Sequence, residues 1–180
     1  MHQEPEGPPL SREIRVIDID DNVSHSIEPT GAEMAAMASL LDLGALDGLH
    51  FEYRLRRGGG GRVHLSGRLK AGVTQTCVVS LEPVDASIDV PVEIEFWPEP
   101  LIENWAKKAE DPGQTGVLDW PEPIADGTID LGPVLYETLA TALDPYPKKA
   151  GASFQWSQGT AKPEASESGA FAALSQLKKP

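Results

Sequence analysis

The segment from Ala86 to Phe96 alternates apolar and polar residues, and this alternation constrains the fold more than any other feature of the chain. Successive side chains of a strand point to opposite faces, so the segment predicts a strand with one face in a core and an acidic face in solvent. The acidic face contains Glu93 and Glu95. Proline donates no ladder hydrogen bond, so Pro91 indicates a sheet edge or a bulge at this point. One-sided strands of this kind are typical of antiparallel sheets.

The same period of two occurs upstream, from Leu46 onward. The segments "FEYRLRR" and "RVHLSGRLKA" alternate apolar and polar residues on either side of "RGGGGR". We interpret them as a β-hairpin with a flexible glycine tip, because the glycine run lacks the Lys-Ser/Thr of a P-loop and the spacing of a dinucleotide-binding fingerprint. A further strand is predicted after Gly72, from Val73 to Leu81, with Cys77 on its apolar face.

Two segments have helical periodicity. Thr30 and Glu33 form a T-x-x-E capping box before an apolar face, and Gly44 occupies the place of a C-terminal glycine. Apolar residues recur at helical spacing over 131–143, and the helix is predicted to end at "LDPYP", because proline disfavours helical geometry in the residue before it. A short strand is predicted in "REIRVIDID", before the first helix.

These elements together predict the α+β class. A curved, mostly antiparallel β-sheet of about five strands would be covered by two helices. The domain is predicted to span residues 11–156 and to include an acidic connection, rich in proline and glycine, at 98–128. Residues 1–10 and 157–180 offer no apolar periodicity and are predicted to be disordered termini.

Composition disfavours several function classes. The formal net charge of −13 opposes a general attraction to nucleic acid or to anionic membranes. One cysteine cannot form an internal disulfide, no signal peptide is recognisable, and no run approaches the roughly 20 apolar residues of a membrane span. We therefore expect a reduced, cytoplasmic protein that makes no membrane contact.

The sequence offers no catalytic constellation. Its four histidines are scattered and none belongs to a metal-binding pair. A nucleophilic pair of Cys77 with His64 is disfavoured, because the alternation places them on opposite faces of the predicted sheet. We predict no catalytic residues, no metal, no cofactor and no small-molecule substrate.

The predicted hairpin is cationic. Between Phe51 and Ala71 there are six lysines and arginines against one acid. If Arg56 lies opposite Arg62, the polar residues of both strands share one face. The candidate RNA-contacting residues are Arg54, Arg56, Arg57, Arg62, His64, Arg68 and Lys70. Local phosphate contact is one interpretation, and ordinary solubilising charge is the other.

The segments "CVVSLEPV" and "IDLGPVLYETLATALDPYPKKAGASF" resemble the YceD family of large ribosomal RNA subunit accumulation proteins, and most closely its alphaproteobacterial members. The family pattern is a C-x-R-C-L-x-P strand, an acidic stretch, and an Asp-Leu helix that ends in a proline-containing segment. The matching positions are Cys77, Leu81, Pro83, Asp130, Leu131 and the segment 144–147. Val79 and Ser80 depart from it, where many members have arginine and a second cysteine.

The resemblance implies a part in the accumulation of large-subunit ribosomal RNA, without a known catalytic activity. Because Ser80 replaces the second cysteine, a two-cysteine zinc or redox function is not expected, and Cys77 is interpreted as a packed strand residue. Two mechanisms stay open. The basic hairpin could contact RNA directly, or Glu93, Glu95 and the connection after Pro98 could bind a basic ribosomal protein, which would make the chain an acidic adaptor. An unrelated protein-interaction module and an uncharacterised enzyme are the remaining alternatives.

Overall fold

Three long antiparallel strands form the centre of the fold. The computed structural model describes residues 9–109 and 120–153; the predicted tails at 1–8 and 157–180 and part of the predicted connection, 110–119, lie outside the described residues. The strands are β1 (Glu13–Arg15), β2 (Ser24–Ile27), β3 (Ala45–Arg57), β4 (Val63–Thr76), β5 (Pro83–Pro98), β6 (Glu122–Ile124) and β7 (Thr128–Asp130). The helices are α1 (Gly31–Leu40), α2 (Glu99–Ala109) and α3 (Leu131–Ala142).

The topology confirms the predicted α+β class. The main sheet has the order β2-β3-β4-β5-β6, and all of its pairings are antiparallel except that of β5 with β6. A second sheet pairs β1 with β7. Because β6 pairs with β5 only at Phe96–Pro98, Pro91 lies on a stretch of β5 that has no neighbouring strand on that side among the described residues. Pro91 therefore lies at an edge of the sheet.

The inner face of the sheet carries the core. The alternating apolar residues of β3, β4 and β5 point inward, and α1 and α3 cover them. The largest fully buried side chains include Phe51, Met37, Leu65, Leu69, Leu135 and Leu139. The outer face carries the polar residues of the same strands and is open to solvent, which leaves it available for partners.

The N-terminal segment ties α1 to α3. The backbone amide of Arg12 donates to Asp130 Oδ1 at 2.6 Å, and the Ser11 hydroxyl donates to Asp130 Oδ2 at 2.9 Å. The Arg12 guanidinium donates to both carboxylate oxygens of Glu33, at 2.8 and 3.0 Å. These bonds, and those from Thr30 in the capping box, lower the pKa of Glu33 to about 2. Leu10, which composition assigned to a disordered tail, is 1% exposed and packs at this junction.

Several boundaries differ from the sequence prediction. The strand predicted in "REIRVIDID" is only β1, because a 3-10 turn follows at Val16–Asp18, and β2 was not predicted. The strand predicted to begin after Gly72 is the continuation of β4, whose ladder with β5 runs unbroken to Thr76. Helix α1 ends at Leu40, and Asp42, two residues later, takes a positive φ of 53°. The left-handed residue that follows the helix is therefore Asp42 and not the predicted Gly44.

The predicted connection at 98–128 contains regular structure. Helix α2 begins at Glu99 directly after β5, and β6 lies further along the same segment. The sequence did not indicate this helix because Pro100 and the acidic composition obscured it, although proline is tolerated in a first helical turn. No helix in the described part of the chain is both long and apolar enough to span a bilayer.

The candidate interaction face of the sheet

Arg54 and Arg56 on β3 share one face with His64, Arg68 and Lys70 on β4, but in a different register from the one predicted. Arg56 lies opposite His64 and Arg54 opposite Ser66, whereas Arg62 precedes the first ladder residue of β4. The predicted pairing of Arg56 with Arg62 is therefore wrong. Because the pairing is displaced by an even number of residues, the polar side chains stay on the same face.

The acidic candidates lie on this same outer face. The β4–β5 register places His64 opposite Glu95, Ser66 opposite Glu93 and Lys70 opposite Asp89. The sequence did not reveal this, because the pairing of β4 with β5 depends on the turn that joins them. The two candidate surfaces are neighbouring strands of a single surface, with cations concentrated on β3 and β4 and carboxylates on β5.

Half of this face is charge-matched within the chain. His64 lies between two carboxylates, with Nε2 2.9 Å from Glu93 and Nδ1 2.8 Å from Glu95. Arg68 pairs with Asp89, and this contact lowers the pKa of the carboxyl group. Arg68 and Asp89 therefore form an ion pair within the chain, whereas Glu93 and Glu95 contact only the imidazole of His64 among the described residues.

The remaining basic candidates fall into two groups. Arg57 is held by Asp21, which accepts from its backbone amide at 2.7 Å and its guanidinium at 3.3 Å, and Arg62 stacks 4.0 Å over the ring of Trp97. Arg54, Arg56 and Lys70 are exposed and have no carboxylate within 4.0 Å among the described residues. Among the described sheet residues, these three are the cations with neither an ion pair nor a ring contact.

Two carboxylate-lined depressions flank the edge strand β6. On the inner side, a cleft of about 410 Å³ between β6, β7 and α3 is lined by Glu13, Glu122, Asp126, Asp130 and Glu137. On the outer side, a pocket of about 380 Å³ is lined by His64, Glu93, Glu95, Trp120 and Glu122. Burial, and then the neighbouring Glu137, raise the pKa of Glu122. No lysine or arginine of the described chain lines either depression.

An aromatic cluster adjoins the outer pocket. The Trp97 and Trp105 rings meet edge to face at 6.2 Å, and those of Trp105 and Trp120 at 4.7 Å. No local sequence pattern indicates this cluster, because the contact joins β5, α2 and a residue before β6. The only available signal was the presence of two tryptophans in an otherwise acidic and proline-rich segment.

Cys77 is buried, but in a turn rather than on a strand face. β4 ends at Thr76, and the Cys77 Sγ accepts backbone N–H bonds from Lys149 at 3.3 Å and from Val79 and Ser80 at 3.4 Å each. The bond from Lys149, followed by those from Ser80, lowers the pKa of the thiol to about 6. The thiol thus joins the turn to the segment after α3, which corrects the prediction of a packed strand residue.

This arrangement predicts a pH-dependent stability. The folded pKa is lower than the usual thiol value of about 8.5, so the thiolate stabilises the native state above that value and loses this contribution as pH falls through 6. The difference in unfolding free energy between wild type and Cys77→Ala should increase from pH 6 to pH 9 in urea titrations. A difference that is constant with pH would contradict this pH dependence.

Native Cys77 should also react slowly with a thiol reagent, since it is 0% exposed.

The motif residues of the earlier resemblance lie at two junctions. Leu81 has a positive φ of 60° in the Cys77 turn, and Pro83 begins β5. Asp130 caps α3 by accepting from the Gly132 amide at 2.9 Å, while Leu131 is fully buried. A model of the family described as "Large ribosomal RNA subunit accumulation protein YceD" matches residues 65–178. The chain belongs to the YceD family.

The family match begins within β4, at residue 65, and includes β5, α3 and all five motif residues. The N-terminal segment, α1, β3 and His64 precede it. The family description gives this chain a role in the accumulation of large-subunit ribosomal RNA. No curated protein and no solved structure matches the chain. In the described residues, no group of three or more His, Cys, Asp or Glu side chains is arranged to hold a metal ion.

Proposed function

We propose that this YceD-family chain supports large-subunit ribosomal RNA accumulation as a non-enzymatic acidic adaptor that binds a basic ribosomal protein. The charge arrangement at β5 and β6 carries the proposal. Three carboxylates line the outer pocket and five line the inner cleft, with no lysine or arginine among their described lining residues. A lysine-rich or arginine-rich protein segment would supply the missing charge, and steering by a chain of net charge −13 would accelerate its encounter. This role favours the cytoplasm as the location.

Direct RNA contact is the second candidate, and the free cations favour it. Arg54 and Arg56 are exposed on β3 and Lys70 on β4, without carboxylate partners within 4.0 Å in the described chain. The β5 carboxylates oppose RNA contact, because a phosphate on Arg54 or Arg56 would lie near Glu93 and Glu95, and one on Lys70 would lie beside Asp89. We therefore rank the adaptor first.

A capture experiment separates the two candidates. Purified chain is incubated with RNA-free large-subunit ribosomal proteins and, separately, with protein-free large-subunit RNA at moderate salt. We expect capture of a basic protein that survives replacement of Arg54, Arg56, Arg62 and Arg68 by serine. The variant Glu93→Lys/Glu95→Lys should lose that capture by at least about tenfold, since it introduces like-charge repulsion at the pocket.

The matched control is Asp20→Lys/Asp47→Lys, which changes the net charge equally at exposed positions away from the pocket. It should retain most of the capture, because the loss is expected to depend on position and not on total charge. Direct binding of the isolated RNA, lost in the arginine variant and kept in the glutamate variant, would instead establish the RNA-contact mechanism. In the arginine variant, the slope of the logarithm of the RNA-binding constant against the logarithm of salt concentration should then fall in magnitude by about one per lost phosphate contact.

A further inference from the structure

Trp120 is a large apolar side chain that is anchored and yet open to solvent. Its ring packs edge to face on Trp105, which packs on Trp97, so the cluster fixes its position. It is nevertheless 59% exposed, and it forms one wall of the outer pocket. An indole ring held in this way exposes apolar surface to water, which is unfavourable, and it gives the pocket a flat π surface.

The other walls of the pocket are acidic. Glu93 and Glu95 have side chains 65% and 49% exposed, and both contact the His64 ring, which also lines the pocket. Glu122 contributes a third carboxylate from β6. A ligand here therefore meets an aromatic face on one side and acceptor oxygens on the others.

A guanidinium group satisfies both walls. It is planar, stacks on an indole ring, and donates paired hydrogen bonds to a carboxylate, whereas the compact ammonium of lysine does only part of this. The chain itself contains the same contact nearby, since Arg62 stacks 4.0 Å over Trp97 in the same cluster. A nucleobase could also stack on Trp120, but its phosphates would approach three carboxylates.

We infer that the pocket formed by Trp120, Glu93, Glu95 and Glu122 binds an arginine side chain of the basic protein partner. This inference rests on the proposed adaptor function and assigns its point of recognition. Trp120 supplies the stacking surface, and the carboxylates select a cation that can donate hydrogen bonds.

Binding of defined probes tests the inference. Oligo-arginine and oligo-lysine peptides of equal length and a single-stranded oligoribonucleotide are titrated into the full chain by isothermal calorimetry. We expect the arginine peptide to bind more tightly than the lysine peptide, and both more tightly than the oligoribonucleotide. Trp120→Leu, which keeps an apolar side chain without a π face, should lower the affinity for the arginine peptide by about tenfold. Glu93→Gln should weaken it several-fold without changing the aromatic cluster.

The matched control is Tyr146→Ala, because Tyr146 is another exposed aromatic residue, 76% exposed, and does not line the pocket. It should bind the arginine peptide as the wild type does, and urea titrations should show that all variants are folded. Equal affinity for the two peptides, or unchanged arginine binding in folded Trp120→Leu or in Glu93→Gln, would overturn the inference. So would preferential binding of the oligoribonucleotide.

The same variants distinguish this inference from the adaptor function. If wild type and Trp120→Leu capture large-subunit ribosomal proteins equally, the pocket assignment is wrong and the adaptor function stands. If the wild type captures no large-subunit ribosomal protein, both the adaptor function and the pocket assignment are wrong.

Discussion

Gly132→Ala should destabilise the domain by about 3 kcal/mol or more, although alanine is the better helix former. Gly132 lies in the first turn of α3, directly beneath the N-terminal segment. A Cβ atom at this position would lie 2.0 Å from the Leu10 carbonyl oxygen and 2.8 Å from the Ser11 Cα. These are backbone atoms, so no side chain can rotate away and the whole segment must move. That movement would break the bonds of Ser11 and Arg12 to Asp130.

The control for this substitution is Gly31→Ala. Gly31 is the first residue of α1, and a Cβ atom there would have no heavy atom within 4 Å. Its replacement should be neutral or slightly stabilising, because alanine restricts the unfolded chain. Urea denaturation followed by circular dichroism measures both changes. A Gly132→Ala midpoint equal to that of Gly31→Ala would show that the N-terminal segment does not press on α3.

Leu139→Asp should unfold the domain or leave it marginal at 25 °C. Leu139 is 0% exposed on α3 and faces the core. The substitution buries a carboxylate without a partner, which costs several kcal/mol, and total stabilities are only about 5–15 kcal/mol. The expected result is loss of the cooperative urea transition, or a greatly lowered midpoint.

Thr141→Asp is the matched control, because it introduces the same residue at an exposed position two residues along the same helix. Its effect should stay within about 1 kcal/mol, because the position is on the surface and a carboxylate in the last turn of a helix is only mildly unfavourable. If Leu139→Asp unfolds at the wild-type midpoint, then α3 does not provide the essential cover of the sheet.

The sequence predicted what depends on a single segment. The alternation in β5 identified its core face, and the T-x-x-E pattern identified the capping box of α1, because both signals arise from neighbouring residues. The hairpin register was missed because the Gly58 amide donates to the Arg62 carbonyl, so that Arg62 lies opposite Gly58 and not opposite Arg56. Glycine permits several such closures, so composition alone could not choose between them.

The candidate site was predictable residue by residue but not as a surface. The sequence identified Arg54, His64, Glu93 and Glu95 as charged outer residues, yet it treated acids and bases as two surfaces. Only the β4–β5 register shows that His64 lies between the two glutamates. The pocket wall at Trp120 depends on contacts between segments that are far apart in the chain, and no local pattern reports such contacts.

The contacts that join the N-terminal segment to Asp130 also determine when the chain can finish folding. Ser11 and Arg12 bond to Asp130, across 119 and 118 positions of sequence, so their partner is synthesised long after they are. We expect the meander of β3, β4 and β5 to form during translation, since its strands are consecutive. Leu10 cannot complete its contact with α3 until that helix has left the ribosome. During most of its synthesis the chain would therefore lack the bonds from Ser11 and Arg12 to Asp130. These bonds can form only after the segment that contains Asp130 and α3 has emerged from the ribosome.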